Sequence, residues 1–193
     1  MQNYGIHKLM DFYLTMNKLV THAELINLFN EQFKVSEHTI LVETENDPLY
    51  LPIDASCEFN RIFCTKNSFA SIFHEIAHWC IAGLARRKLV DYGYWCKLED
   101  RSPEEQQLHR NYEKKTQAIE WIFSVAANTK FLIIPDNAPH SFEASEEYKQ
   151  GIYTMTMHYL DQGLPPRAEI FKNSLLAFYE HQNIFSKDLF IIP

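Results

Sequence analysis

Residues 67–83 read NSFASIFHEIAHWCIAG, and this stretch is the strongest indication of the fold. It opens on Ser68, a typical helix-capping residue, and it reaches Gly83, a residue typical of helix ends. Between these two positions apolar residues recur every three or four places, which is the pattern of a helix with a buried face. The stretch therefore predicts a central helix that carries His74 and His78 inside an apolar run.

The two histidines belong to a His-Glu-x-x-His motif. Histidines four residues apart lie on the same face of a helix, so the imidazoles of His74 and His78 can reach one metal ion. Glu75 lies between them, where it can contact a metal-bound water or a substrate. Burying two imidazoles and a carboxylate without partners would be costly, and a bound cation removes that cost. We therefore predict a metal site, rather than two histidines of an ordinary core.

Two histidines do not complete such a site. In the metzincin pattern a glycine and a third histidine would follow, but Ile81 and Leu84 occupy those positions, which excludes that class. A carboxylate from a distant segment is then the natural third ligand. The candidates are Glu113, Gln117 and Glu120 on a predicted helix beginning at Pro103, with Asp91 and His109 as further options. Polar residues at this spacing are equally compatible with a solvated helix face.

Spacing alone does not identify the metal. Two histidines and one carboxylate with open coordination positions suit either hydrolytic zinc or oxygen-activating ferrous iron. The alternatives are a zinc peptidase with Glu75 as general base, another metal-dependent hydrolase such as one acting on RNA, and a binding module with a structural metal. The last is disfavoured because structural zinc sites are rich in cysteine and the chain has no Cys-x-x-Cys pair.

The rest of the chain predicts an α+β protein. Extended segments are predicted over residues 39–42, 49–53 and 59–65, and Pro52 limits the second of these to an edge strand. Helices are predicted over residues 22–33, 67–83, 103–127, 146–161 and 167–181. We expect residues 1–193 to form a single domain with a small early sheet and a predominantly helical remainder, and residues 1–19 to be an N-terminal extension.

Composition excludes several kinds of partner. The formal net charge is -7 and no basic patch stands out, so we expect no nucleic-acid binding. No apolar window approaches a membrane span, so we expect no membrane partner. The cysteines are scattered and no secretion signal is visible, which predicts reduced thiols and a cytoplasmic location. They are Cys57, Cys64, Cys80 and Cys96.

Several blocks of sequence carry a resemblance to a known family. They lie at residues 47–52, 59–62, 71–83, 85–95 and 113–121, in the same order. The most specific part is the run His-Glu-x-Ala-His-Trp-Cys-Ile-Ala-Gly with a downstream Tyr-Gly-Tyr-Trp. On these residues the chain resembles the bacterial elongation factor P hydroxylase family.

The resemblance implies a particular chemistry. The family hydroxylates the modified lysine of elongation factor P after a β-lysyl group has been attached, which makes that factor the expected partner. It implies a non-haem centre with one divalent metal, Fe(II) in preference to Zn(II), and O2 as co-substrate. Carried over by position, the ligands are His74, His78 and Glu113, with Glu120 in reserve. The family pattern places Pro where this chain has Thr116.

A lysine substrate has an apolar stem and a cationic tip, which suits an acidic protein with an aromatic cleft. We expect such a cleft from Asp91, Tyr92, Tyr94 and Trp95, through charge and cation–π contacts. The three rings are equally compatible with core packing. Glu75 is the expected catalytic carboxylate, which could orient a ligand, pair with a substrate amine or support a metal-binding histidine.

Overall fold

The computed structural model describes residues 21–93, 102–135, 144–180 and 184–193. The predicted N-terminal extension, residues 1–19, lies outside these ranges. The helices are α1 (His22–Phe33), α2 (Phe69–Ile81), α3 (Pro103–Ala126), α4 (Glu146–Gln162) and α5 (Pro166–Phe178). The strands are β1 (Thr39–Thr44), β2 (Leu49–Leu51) and β3 (Asn60–Thr65). Short 3-10 turns lie at Arg86–Lys88, Val90–Gly93 and Lys187–Leu189. The α+β prediction, with an early sheet and a helical remainder, is confirmed.

The three strands form one sheet in the order β1-β3-β2. β1 and β3 are parallel, with Leu41 opposite Ile62, and β2 is antiparallel to β3. Leu41 and Ile62 are buried, so one face of the sheet contributes to the core. β2 lies at an edge, as predicted, but it ends at Leu51 rather than at residue 53, because Pro52 has no amide hydrogen to donate to a neighbouring strand.

Helix α2 is held at both of its ends. At its start the Ser68 hydroxyl accepts a hydrogen bond from the Ser71 amide at 3.1 Å. At its end the guanidinium of Arg167, from α5, donates to the carbonyl oxygens of Trp79 and Ala82 at 2.7 and 2.6 Å. These contacts satisfy backbone groups that a helix end otherwise leaves without partners. Side chains therefore define both ends of α2, on either side of its two histidines, and Arg167 joins one end to α5.

Most predicted element boundaries agree with the structure to within two residues. α1 begins at His22 as predicted, where Thr21 and Glu24 form a capping box. β1 is longer than predicted because its pairing with β3 continues to Thr44, opposite Thr65. α5 ends earlier than predicted, since the chain turns at Glu180, where φ is 57°. Within the described ranges, no helix combines the length and apolar character needed to cross a membrane.

Helix α3 packs against α2 and brings a buried polar face to it. This face includes Glu113, Thr116 and Glu120, which are 7%, 0% and 1% exposed. A solvated helix face, the alternative left open by the sequence, is therefore excluded for these residues. The contact between the two helices positions the candidate site.

Candidate metal centre

Three side chains from α2 and α3 converge on one point. The Nε2 atoms of His74 and His78 lie 3.0 Å apart. The carboxylate of Glu113 lies 3.6 Å from Nε2 of His74 and 3.4 Å from Nε2 of His78. One ligand atom from each of the three residues lies within 4.8 Å of the other two. Two imidazoles and one carboxylate in this arrangement could hold a divalent metal and leave coordination positions open.

Glu120 contacts the opposite side of the His74 ring. Its Oε2 atom lies 2.8 Å from Nδ1 of His74, and the side chain is almost fully buried. A carboxylate accepts hydrogen bonds, so Nδ1 of His74 is the donor and Nε2 faces the convergence point. Outer carboxylates of this kind orient metal-binding histidines in many proteins. The structure therefore brings the reserve ligand of the sequence analysis to the back of His74.

His78 has its own partner on α3. The Thr116 hydroxyl lies 3.2 Å from Nδ1 of His78, and the ring of Tyr112 stacks on the imidazole at a centroid distance of 5.6 Å. Both histidines therefore face the convergence point with Nε2 and contact α3 with Nδ1. Sequence reasoning missed Thr116 and Tyr112 as site residues, because their roles depend on how α3 crosses α2.

The two histidines have opposite electrostatic environments. Burial lowers the pKa of His74, but the hydrogen bond to Glu120 and the neighbouring carboxylates outweigh this effect and raise it to about 10. Burial lowers the pKa of His78 well below its ordinary value of 6.5, and positive charge on His74 lowers it further. In the metal-free protein His74 therefore carries a proton at neutral pH, while His78 is a neutral imidazole.

Glu75 is partly buried beside the same cluster. Burial raises the pKa of Glu75 to about 7, and Glu113 and Asp91 raise it while His74 lowers it. Among the residues that the structure describes, no hydrogen bond to its carboxylate is present. The side chain is therefore available for a proton, a ligand or a substrate group.

The segment after α2 has an unusual backbone. Asp91, Tyr92 and Gly93 have φ values of 46°, 57° and 70°, in the left-handed region that non-glycine residues rarely adopt. Asp91 Oδ1 accepts a hydrogen bond from the Tyr50 amide at 2.8 Å, and the rings of Tyr50 and Tyr92 stack at 4.3 Å. A side chain at position 93 would also approach Leu89 to 2.7 Å. These contacts fix the conformation of the segment that follows α2.

The structure describes two of the four predicted substrate residues, Asp91 and Tyr92. The ring of Tyr92 is 1% exposed and packs in the core, while its hydroxyl has no hydrogen-bond partner among the described residues. Asp91 is partly exposed. Tyr94 and Trp95 lie outside the ranges that the structure describes. The predicted cleft therefore stays a prediction.

The other third-ligand candidates on α3 differ in where they lie relative to the cluster. Gln117 is buried and points away, donating to the Ile134 carbonyl at 2.8 Å and accepting from the Ile134 amide at 3.1 Å. His109 lies beside Glu113, with 3.7 Å between its Nε2 atom and the carboxylate. Of the candidates on α3, Glu113 is the one that the structure groups with both histidines of the motif.

Comparison with known proteins shows to which family this chain belongs. The family model of elongation factor P hydroxylase matches residues 28–190. The elongation factor P lysine hydroxylase of Haemophilus influenzae is 37% identical over 160 residues, which covers 83% of this chain and 90% of the relative. This chain belongs to the elongation factor P hydroxylase family.

Membership of the elongation factor P hydroxylase family also helps to choose between hydroxylation and the hydrolytic alternatives. The matched range contains α2 and α3, and with them the whole of the histidine and carboxylate cluster. The family name is that of an enzyme that adds a hydroxyl group. Hydroxylation is therefore favoured over a zinc peptidase or another metal-dependent hydrolase.

Proposed function

We propose that this protein hydroxylates the β-lysylated lysine of elongation factor P, using one divalent metal bound by His74, His78 and Glu113. The observation that carries the proposal is the convergence of these three side chains within 4.8 Å, in a chain of the hydroxylase family. Elongation factor P is the substrate because the Haemophilus influenzae relative is named as the lysine hydroxylase of that factor.

We propose Fe(II) as the metal and O2 as the co-substrate. Two imidazoles and one carboxylate with open positions form the ligand set of non-haem iron oxygenases, and Fe(II) in such a site supplies the O2 activation that C–H hydroxylation needs. Zn(II) would fit the same ligands, but zinc has no redox chemistry. A zinc-loaded protein should therefore be folded and inactive as a hydroxylase.

The residues of this chain then have separate tasks. Glu120 holds the His74 ring from behind through the contact at 2.8 Å. Glu75 and Asp91 supply negative charge beside the cluster, since the charge of Asp91 raises the pKa of Glu75 and the charge of Glu75 raises the pKa of His74. We propose that these two carboxylates receive an ammonium group of the β-lysyl-lysine side chain.

The remaining proposed substrate contacts are aromatic residues that the sequence places after α2. We propose that Tyr94 and Trp95 flank the apolar stem of the substrate, since aromatic faces attract both methylene groups and cations. The Tyr92 hydroxyl is a further contact candidate because it is buried without a hydrogen-bond partner in the described part of the chain. The Tyr92 ring itself supports the segment by stacking on Tyr50.

The test uses protein purified without oxygen and loaded with Fe(II) or Zn(II). The loaded protein is incubated with β-lysylated elongation factor P, O2 and a chemical reductant. The mass of elongation factor P is then measured by mass spectrometry. We expect a gain of one oxygen atom with Fe(II) and none with Zn(II) or with unmodified factor. His74→Ala should abolish the gain, whereas His158→Ala, at an exposed histidine of α4, should not.

Two outcomes would contradict the proposal. Substrate cleavage with Zn(II) and no oxygen incorporation would favour the peptidase alternative. Full activity of the His74→Ala variant would remove the metal cluster from the mechanism.

A further inference from the structure

The Thr116 hydroxyl is a fully buried polar group between two partners. Its Oγ1 atom lies 3.2 Å from Nδ1 of His78 and 3.2 Å from the carbonyl oxygen of Tyr112, one helical turn earlier. Thr116 is 0% exposed, so no bulk water competes for these contacts. The hydroxyl therefore links the α3 backbone to the back of a proposed metal ligand.

The direction of these hydrogen bonds follows from the chemistry of the three groups. A neutral imidazole carries one hydrogen, and a ligand nitrogen must present a lone pair. Nε2 of His78 faces Nε2 of His74 and the Glu113 carboxylate, so a ligating His78 carries its hydrogen on Nδ1. The Thr116 oxygen then accepts from Nδ1–H and donates its own hydrogen to the Tyr112 carbonyl, which can only accept.

We propose that Thr116 is a positioning residue that fixes the tautomer and ring orientation of His78 for metal binding. This inference rests on the proposed metal site and adds a residue to it. The support of the two histidines is asymmetric, because His74 has a carboxylate partner whereas His78 has an uncharged hydroxyl. A hydroxyl orients the ring without stabilising a second proton on it, so His78 keeps its Nε2 lone pair.

The chain offers a matched control on α4. Thr156 is also 0% exposed, and its hydroxyl donates to the Ile152 carbonyl one turn earlier at 2.9 Å. Thr156→Val removes a buried helix hydroxyl from α4, as Thr116→Val removes one beside the cluster on α3. Thr116→Ser keeps the hydroxyl and serves as the conservative variant.

The first measurement is Zn(II) affinity, by competition with a chelator. We expect Thr116→Val to weaken binding by about tenfold or more, and Thr116→Ser to stay within about threefold of the original protein. Thr156→Val should leave the affinity unchanged. Thermal unfolding of each variant separates lost stability from lost affinity, since a merely structural role would lower stability alone.

The second measurement is the Nδ1–H resonance of His78, observed by NMR with nitrogen-15 in the metal-free and zinc-loaded proteins. We expect this resonance in the original protein, Thr116→Ser and Thr156→Val. In Thr116→Val it should move upfield or disappear through exchange with water. His78→Gln identifies the signal.

The outcomes separate the two proposals. If Thr116→Val keeps both the Zn(II) affinity and the His78 Nδ1–H resonance, Thr116 is not a positioning residue. If the original protein binds no Zn(II) or Fe(II), the proposed metal centre fails. In that case the resonance in the metal-free protein alone decides whether Thr116 orients His78.

Discussion

At the residue scale, a close contact in the site joins His74 to Glu120 at 2.8 Å. Glu120→Gln keeps an acceptor for Nδ1–H but removes the negative charge that favours the protonated ring and strengthens the hydrogen bond. We expect the metal affinity, corrected for the proton that the ion displaces from His74, to fall by about tenfold, with the ring orientation retained. Chelator competition measures this loss, and Glu104→Gln, at an exposed position of the same helix, is the control. Equal affinities for the two variants would show that the contact does not support the metal.

The raised pKa of His74 predicts a proton released on metal binding. Metal-free His74 is protonated below about pH 10, and a metal needs the Nε2 lone pair, so the ion must displace a proton. Affinity should therefore rise with pH, by about tenfold per unit below that pKa. Calorimetry in buffers with different ionisation enthalpies should give about one proton released per ion. A buffer-independent heat of binding would contradict the assignment of charge to His74.

At the element scale, the sequence predicts α2 well, but it does not predict which carboxylates of α3 face the histidines of α2. The spacing of His74 and His78 is a local property of one helix, so their shared face follows from the sequence. The roles of Glu113 and Glu120 depend on where α3 crosses α2, which is a property of packing between distant segments. Both acids are buried and both contact His74, yet one faces Nε2 and the other Nδ1. Local periodicity carries no information on that difference.

Arg167 connects α5 to the end of α2, and this contact predicts a stability effect. Its guanidinium donates to the Trp79, Cys80 and Ala82 carbonyls and lies 4.6 Å from the Trp79 ring. Arg167→Met keeps a long side chain but leaves these carbonyls without the cation. We expect the free energy of unfolding to fall by about 2 kcal/mol, since hydrogen bonds from charged donors are among the stronger ones. Urea unfolding measures it.

The control for this variant is Lys130→Met, which removes a cation from an exposed position. It should change the urea midpoint little, because isolated surface charges contribute little to stability. If the urea midpoint of Arg167→Met is as close to that of the original protein as the midpoint of Lys130→Met, the end of α2 is held by packing alone.

At the scale of the whole molecule, the order and type of the elements could be read from the sequence, but the strand pairing could not. Capping residues and apolar spacing are local, and they mark α1 and α3 closely. The parallel pairing of β1 with β3, with β2 at the edge, joins residues that are distant along the chain. Loop-forming residues such as Asn46 and Pro48 indicate that the chain turns, without indicating which strand it pairs with.

A metal held between α2 and α3 should stabilise the whole protein. An ion that binds the folded state at about 100 times its dissociation constant adds about 2.7 kcal/mol to the free energy of unfolding. We therefore expect Zn(II) to raise the unfolding temperature and a chelator to reverse the rise. His78→Ala should lose the response. An unchanged unfolding temperature on addition of Zn(II) to the original protein would contradict a site between these helices.

Helix α2 is capped by Ser68 at one end and by Arg167 at the other, and neither cap involves a ligand of the proposed ion. The distance between His74 and His78 is therefore set when the chain folds, before any metal arrives. We therefore expect insertion of the proposed ion to be a reversible step that is separate from folding. A shortage of the ion would lower the fraction of active molecules while leaving the protein folded, ready to regain activity when supply returns.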